Sequence, residues 1–211
     1  DIAYMNPYHY AQFHQSAGYL ALVKEKDKRL QGIIVVAKNS PFVELKALVG
    51  ETIAFPAPGA FAASMIPRAS LKQRDIDFKP HYVGSHDSVY LAVYQGLMKA
   101  GGGVARTYNN LPVAVKSQLR VLWRTPKYTP HAIAVHPRVA NTSREALTTA
   151  LVALAETESG LLLLASLGFN RFEPAVDSDW DDVRSLNFAP LPLSSAASIS
   201  AIKVEPLEGI N

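Results

Sequence analysis

The 211-residue sequence contains no cysteine. Its absence excludes thiolate nucleophiles, thiolate metal ligands and disulfide bonds. Long apolar runs are also missing, because the longest, GLLLLASLG at 160–168, is far shorter than the roughly 18–20 residues of a membrane-spanning helix. Basic residues are scattered and form no Lys/Arg run, so the net charge of +3 gives little support to nucleic-acid binding.

Strand-like and helix-like segments alternate along the chain. Hydrophobic residues make up 48% and charged residues 18% of the sequence, which is typical of globular proteins. The alternation predicts an α/β fold with largely parallel sheets that are covered on both faces. The predicted strands are 1–5, 31–38, 51–58, 78–84, 102–108, 119–124 and 131–137, and the predicted helices are 40–50, 59–74, 85–101 and 158–168, with another that begins at a capping-box pair, Thr142 and Glu145.

Two turns that connect a strand to a helix are candidate binding sites. They are FPAPGAFAAS at 55–64 and VGSHDS at 83–88. In α/β folds, ligands bind beyond the carboxyl ends of strands, where the amide groups at helix starts attract anions. Ser85 or Asp87 is expected to cap the second helix, and His86 stands in its first turn.

Five segments, in this order, resemble the phosphate/phosphonate-binding proteins of bacterial ABC transporters. These are two-lobed periplasmic binding proteins of the second structural type, and the resemblance covers about residues 1–185. No single motif carries it; the order of all five does. The segments are DIAYMNPYHY, GIIVVAKNSPFVELKALVGETIAF, GAFAASMIP, VGSHDSVYLAVYQG and LRVLWRTPKYTPHAIAVHP.

The resemblance implies two α/β lobes that close on a small ligand. Lobe one comprises 1–38 plus 128–190, lobe two comprises 39–127, and 191–211 form a C-terminal tail. The family has a βαβ unit before the strand that matches 1–5, and such a unit takes roughly 30 residues. We therefore expect lobe one to be incomplete. A partner chain, a swapped segment or the tail is expected to cover its open edge, which allows a homo-oligomer.

The ligand grip of the family falls on the turn at 59–63 of this sequence. Family members hold phosphonate oxygens there with Ser-Thr-Ser hydroxyls followed by glycine. Alignment on Pro67 places Ala60, Phe61 and Ala62 at the hydroxyl positions, directly after Gly59. Backbone amides remain, but three charge-assisted hydrogen bonds are lost. The resemblance thus implies an altered ligand that is less charged or more apolar, or no ligand.

Four further residues are implied to contact the ligand, and each has a structural alternative. His86 matches the family's pocket histidine, although a solvated first-turn histidine would look the same. Lys99 falls near an acidic family position, or else it is a solvated lysine near a helix C-terminus. The family places an aromatic hydroxyl in the turn within DIAYMNPYHY. Strict register puts that position at Met5, and Tyr4 or Tyr8 takes its place, or else these tyrosines pack in the core and hinge.

The resemblance implies a non-catalytic, periplasmic solute-binding protein. It would bind a small molecule, with a phosphorus oxyanion as one candidate, and deliver it to an ABC permease. The alternative is a ligand-sensing or protein-interaction domain of the same fold that acts on a signalling partner. We predict no cofactor, no metal site and no catalytic residue, since no base–nucleophile pair is visible. The acidic run DSDWDD at 177–182 lacks the glycine and terminal glutamate of a calcium loop and is predicted to be a solvated turn.

Overall fold

The computed structural model describes residues 1–188. The predicted tail at 191–211 lies outside the described residues. The strands are β1 (Ile2–Met5), β2 (Leu20–Glu25), β3 (Leu30–Ala37), β4 (Thr52–Phe55), β5 (Lys79–Tyr82), β6 (Ala100–Val104), β7 (Leu119–Tyr128), β8 (Ala132–Val135) and β9 (Phe172–Pro174). The helices are α1 (Pro7–Ala17), α2 (Ile66–Lys72), α3 (His86–Tyr94), α4 (Ala105–Asn109), α5 (Val113–Lys116), α6 (Asn141–Ala153), α7 (Glu158–Ser166) and α8 (Asp181–Arg184).

The strands form two sheets, and the prediction of largely parallel pairing is wrong. The first sheet has the order β1–β8–β2–β9, and every neighbouring pair is antiparallel. The second has the order β5–β4–β6–β3–β7, with parallel pairing only between β4 and its two neighbours. In the first sheet β8 lies between β1 and β2. A sequence in which strands and helices alternate therefore does not determine which strands lie side by side.

The lobe division predicted from the sequence stays a prediction, but the sheets bear on its boundaries. Residues 30–37 were assigned to lobe one, and they pair in the second sheet between β6 and β7. β1 is an edge strand of the first sheet. What covers this edge, whether a partner chain or another segment, also stays a prediction.

Four local predictions differ from the structure. The predicted helix 40–50 contains only one 3-10 turn, Leu45–Leu48. The Arg120 guanidinium group explains this, because it donates hydrogen bonds to the carbonyl oxygens of Lys38, Ser40 and Phe42, and residues 38–44 form turns and bends instead of a helix. The predicted strand 102–108 ends at Val104 and continues as α4. α1 and β2 were not predicted, and β7 runs on past residue 124 to Tyr128.

The run DSDWDD is not a solvated turn. It forms a 3-10 turn, Asp177–Trp180, that leads into α8, and Trp180 is fully buried. Its carboxylates pair with cations from distant strands: Asp179 Oδ2 lies 2.8 Å from Lys24 Nζ, and Asp182 Oδ2 lies 2.8 Å from Arg29 Nη2. Within residues 1–188 no single helix has the length and apolar content of a membrane span; the helices 141–156 and 158–166 reach them only jointly, across a 99° bend.

One apolar cluster joins the two sheets. The first half of the fold is the sheet β1–β8–β2–β9 with its helices, and the second half is the sheet β5–β4–β6–β3–β7 with its helices. The cluster brings Met5, Tyr8 and Tyr10 from the first half against Phe61 and Ile66 from the second. Trp180 and Val183 complete it from the C-terminal side. Since a buried cluster of this kind holds neighbouring elements in fixed positions, the segments on either side of it frame a defined cleft.

Candidate functional site

A cavity of about 820 Å³ lies between the two sheets. This volume falls within the range of sites for small organic ligands, roughly 300–1,000 Å³. Both halves of the fold line it. The first half contributes mainly Tyr4, Asn6, Glu25, His131, Phe169 and Phe172, and the second contributes mainly Ala60, Phe61, Ala62, Ala63, His86, Val104, Arg106, Thr107 and Lys127.

One wall is built from the start of a long helical segment. A π-helical turn, Phe61–Met65, begins after Ala60 and continues directly into α2. The first amides of a helix have no partner within the helix and carry its positive dipole end. The segment can approach the sheet closely because Gly32 and Gly102 face it: a Cβ on either would overlap the carbonyl oxygen of Ala62 or Ala63.

A second helix start meets the same wall. α3 begins at His86, and Ser85 caps it by accepting a hydrogen bond from the Ser88 amide at 3.0 Å; the expected cap is therefore confirmed. The Nδ1 atom of His86 is buried and has no hydrogen-bond partner among the described residues. Burial lowers the pKa of His86, and the Asp87 carboxylate opposes this shift. An unpaired buried ring nitrogen is a group for which a partner is expected, and the residue that carries it lines the cavity. We call Ala60–Ala63 and His86 the helix-start wall.

The charged side chains that line the cavity are mostly basic. Two of the cations are already compensated. Arg29 pairs with Asp182, and Lys28 Nζ lies 3.8 Å from the Glu25 carboxylate. Within the described part of the chain, Arg106 and Lys127 make no ion pair, although both line the cavity. The cavity therefore has an excess of positive charge, which favours an anionic ligand.

The opposite side of the cavity is aromatic. The Tyr4 and His131 rings stack at a centroid distance of 4.8 Å with an interplanar angle of 16°. Phe169 meets Tyr4 edge-on at 5.7 Å. We call Tyr4, His131 and Phe169 the aromatic wall. Burial, and after it the proximity of His9, lowers the pKa of His131 to about 4, so at neutral pH this imidazole presents an uncharged ring.

Acidification is expected to destabilise the protein through His131. An unfolded histidine titrates near pH 6.5, whereas His131 in the folded chain takes up its proton near pH 4. Between these values the unfolded state binds more protons, so the free energy of unfolding falls as the pH drops from about 6.5 to 4. The expected decrease in the free energy of unfolding is on the order of 2 kcal/mol, which allows for solvent screening because the ring is partly exposed.

Urea denaturation at pH 7 and at pH 4.5 measures this loss. In His131→Gln the difference between the two pH values should shrink by most of that amount, because the titrating group is gone. His81→Gln, at an exposed position on β5, should keep the wild-type difference. An unchanged pH dependence in His131→Gln would assign the acid sensitivity to other groups.

The structure brings five of the eight predicted site residues to the cavity. They are Tyr4, Ala60, Phe61, Ala62 and His86. Tyr8, Gly59 and Lys99 are not among the residues that line it. Tyr8 is 4% exposed and packs in the core. Gly59 is exposed and its carbonyl oxygen accepts a hydrogen bond from Asn6.

Lys99 and Phe61 show why sequence position alone misplaces side chains. Lys99 precedes β6, whereas the cavity lies at the opposite, Val104 end of that strand; five residues at about 3.3 Å each separate the two by roughly 16 Å. Phe61 borders the cavity, but its ring is 3% exposed and packs edge-on against Tyr128 at 5.8 Å. Its ring therefore belongs mainly to the core.

Arg106, Thr107, Lys127 and His131 line the cavity but were not predicted as site residues. One signal could have found the first two. They directly follow β6, whose sequence is AGGGV, and the carboxyl end of such a strand is a usual place for ligand contacts. Lys127 and His131 come together with them only because β7 pairs antiparallel with β3 in one sheet and β8 pairs antiparallel with β1 and β2 in the other, which the sequence did not predict.

Residues 1–180 match the sequence profile of a protein family described as "ABC transporter, phosphonate, periplasmic substrate-binding protein". The match covers most of the chain. The chain belongs to this phosphonate-binding family, as the five segments predicted. The family consists of substrate-binding proteins and not of enzymes.

Solved structures with the same fold include three relatives of low sequence identity. XAC2383 from Xanthomonas citri, bound to a chloride ion, is 17% identical with a TM-score of 0.77, over 88% of this chain and 75% of that one. A binding protein component of an ABC phosphonate transporter from Pseudomonas aeruginosa is 15% identical with a TM-score of 0.75, over 93% and 74%. PhnD1 from Prochlorococcus marinus, in complex with methylphosphonate, is 20% identical with a TM-score of 0.73, over 88% and 76%. These similarities establish the type 2 periplasmic-binding-protein fold.

Proposed function

We propose that this member of the phosphonate-binding family binds a phosphorus oxyanion in the cavity between its two sheets. It would do so in the periplasm and deliver the anion to the permease of an ABC importer. The buried Nδ1 atom of His86 is the observation that carries this proposal, because it is a polar group for which residues 1–188 provide no hydrogen-bond partner. His86 lines the same cavity as the first residues of the Phe61–Met65 turn.

The charges around the cavity support an anion rather than a cation. Arg106 and Lys127 line it without a carboxylate partner among the described residues, while its one lining carboxylate, Glu25, is matched by Lys28. The helix-start amides remain, and Thr107, which lines the same cavity, can replace part of the hydroxyls lost at Ala60, Phe61 and Ala62. This donor set favours a ligand with several oxygen acceptors.

Isothermal titration with methylphosphonate, phosphate and sulfate tests the proposal. Methylphosphonate is the ligand in the PhnD1 structure and is the first probe. We expect binding of a phosphorus oxyanion to raise the unfolding free energy by about 2.7 kcal/mol at 100 times its Kd. His86→Ala should weaken that binding roughly 10- to 150-fold, because one hydrogen bond to a charged ligand contributes about 1.5–3 kcal/mol.

His81→Ala is the matched control, since that histidine is exposed on β5 and does not line the cavity. It should bind the anion as the wild type does. If the folded wild-type protein binds none of the phosphorus oxyanions, this function is excluded and the ligand-sensing or interaction role becomes the better hypothesis. Equal losses in both histidine variants would show that His86 makes no specific contact.

A further inference from the structure

The aromatic wall exposes a ring surface that binding of a bare oxyanion does not require. Tyr4 is 57% exposed, although His131 stacks on it and Phe169 touches its edge. In the same N-terminal stretch Tyr8 and Tyr10 are 4% and 0% exposed. Tyr4 is thus set apart from its neighbours: its contacts hold the ring in one orientation, while much of its surface faces the cavity.

The cavity is also much larger than a methylphosphonate ion. Its volume of about 820 Å³ lies in the upper part of the range for ligands of drug size. The small residues Ala60, Ala62 and Ala63 enlarge it on one side. An oxyanion at the helix-start wall therefore leaves space between itself and the aromatic wall.

Arg106 lines the cavity and reaches the edge of the aromatic wall. It belongs to α4 in the second half of the fold, and its guanidinium group lies directly against the Cα of Gly168, where a Cβ would overlap it. The next residue, Phe169, is part of the aromatic wall. An unpaired cation thus stands at the edge of the aromatic surface, where it can meet the charged group of a ligand whose flat part lies on that surface.

We infer that the ligand is a phosphorus oxyanion that carries a planar aromatic group, such as an aryl phosphonate or an aryl phosphate monoester. The oxyanion binds at the helix-start wall with His86 and Arg106, and the aromatic group stacks on Tyr4. This inference rests on the proposed function and adds the class of substituent. Aromatic rings prefer offset-stacked or edge-on partners at 4.5–7 Å, and Tyr4 with His131 already forms such a surface.

Titration of phenylphosphonate against methylphosphonate tests the inference, because the two share the oxyanion and differ in the ring. We expect phenylphosphonate to bind at least tenfold more tightly. In Tyr4→Leu the preference for phenylphosphonate over methylphosphonate should fall to about threefold or less. Tyr4→Phe keeps the ring and should keep the preference. Tyr94→Ala is the matched control, since this tyrosine is 43% exposed on α3 and does not line the cavity.

The outcomes separate this inference from the proposed function. If methylphosphonate binds and phenylphosphonate binds no more tightly, the aromatic substituent is excluded while the phosphonate function stands. If benzoate binds in a Tyr4-dependent way and neither phosphonate binds, the phosphorus oxyanion is excluded from both proposals. A preference that survives unchanged in Tyr4→Leu, with the variant folded by circular dichroism, would overturn the assignment of the ring to the aromatic wall.

Discussion

Gly32→Ala is expected to lower the free energy of unfolding by roughly 3 kcal/mol or more and to abolish ligand binding. Gly32 lies in β3, and a Cβ at this position would overlap the Ala62 carbonyl oxygen and stand 2.9 Å from the Thr125 Cγ2 atom. Neither neighbour is the free end of a flexible side chain. The π-helical turn must therefore move away from the sheet, and the amides of the helix-start wall move with it.

Gly59→Ala is the control for this experiment, since it makes the same chemical change three residues before Ala62. A Cβ there would meet only the His9 Nε2 atom, at 3.9 Å. We expect a change within about 0.5 kcal/mol and normal anion binding. Equilibrium denaturation and titration with methylphosphonate measure both quantities. Equal stability of the two variants would show that the turn does not rest on Gly32 as described.

The predictions that succeeded depended on local apolar pattern. The strands β1, β3, β4 and β5 were each expected within a few residues. β3 and β4 are buried and read as short apolar runs, whereas β1 and β5 are mostly exposed edge strands. The helix predicted at 40–50 failed although it had a serine, a proline and a terminal glycine in suitable positions. Arg120, 70 residues and more away in sequence, takes the carbonyl groups of that segment as acceptors. No local pattern contains that interaction.

The direction of the strands was harder to predict than their positions. Segments that alternate as strand and helix are typical of parallel sheets, and β4 does pair in parallel with β5 and β6. β8 and β3, however, each lie between two strands that run opposite to them. Strand order depends on long-range packing between the two halves of the chain, and apolar periodicity does not record it.

The site residues also divide into those that a local sequence segment indicates and those that only long-range packing brings to the cavity. His86 and the turn at 60–62 were named because the family resemblance placed them, and both line the cavity. Arg106 and His131 are 20 and 45 residues from His86 in the sequence and reach the cavity only through the two-sheet arrangement. The excess of positive charge in the cavity could not be read from the composition either, because it depends on which cations already have carboxylate partners.

Trp180→Ala is expected to cost about 3–5 kcal/mol of stability, the range for truncating a buried tryptophan. The indole is fully buried, its ring centroid lies 4.4 Å from that of Tyr10, and its Nε1–H donates to the Pro130 carbonyl oxygen at 2.9 Å. Pro130 and the adjacent His131 both line the cavity. Loss of the indole therefore opens a void in the cluster that joins the two sheets and releases the segment that carries part of the aromatic wall.

Two variants separate these contributions when each is followed by urea denaturation. Trp180→Phe keeps most of the ring but leaves the Pro130 carbonyl group without its donor, so we expect a loss of about 1–3 kcal/mol. Trp123→Ala removes the other tryptophan, a half-buried residue of β7 that packs beside Arg74. It should lower the free energy of unfolding by less than half as much as Trp180→Ala. If Trp180→Ala were no more damaging than Trp123→Ala, the acidic C-terminal turn could not be docked through its indole. Its polar contacts would then have to hold it, among them the ion pairs with Lys24 and Arg29 and the hydrogen bonds from Thr129 to Asp182 and Asp179.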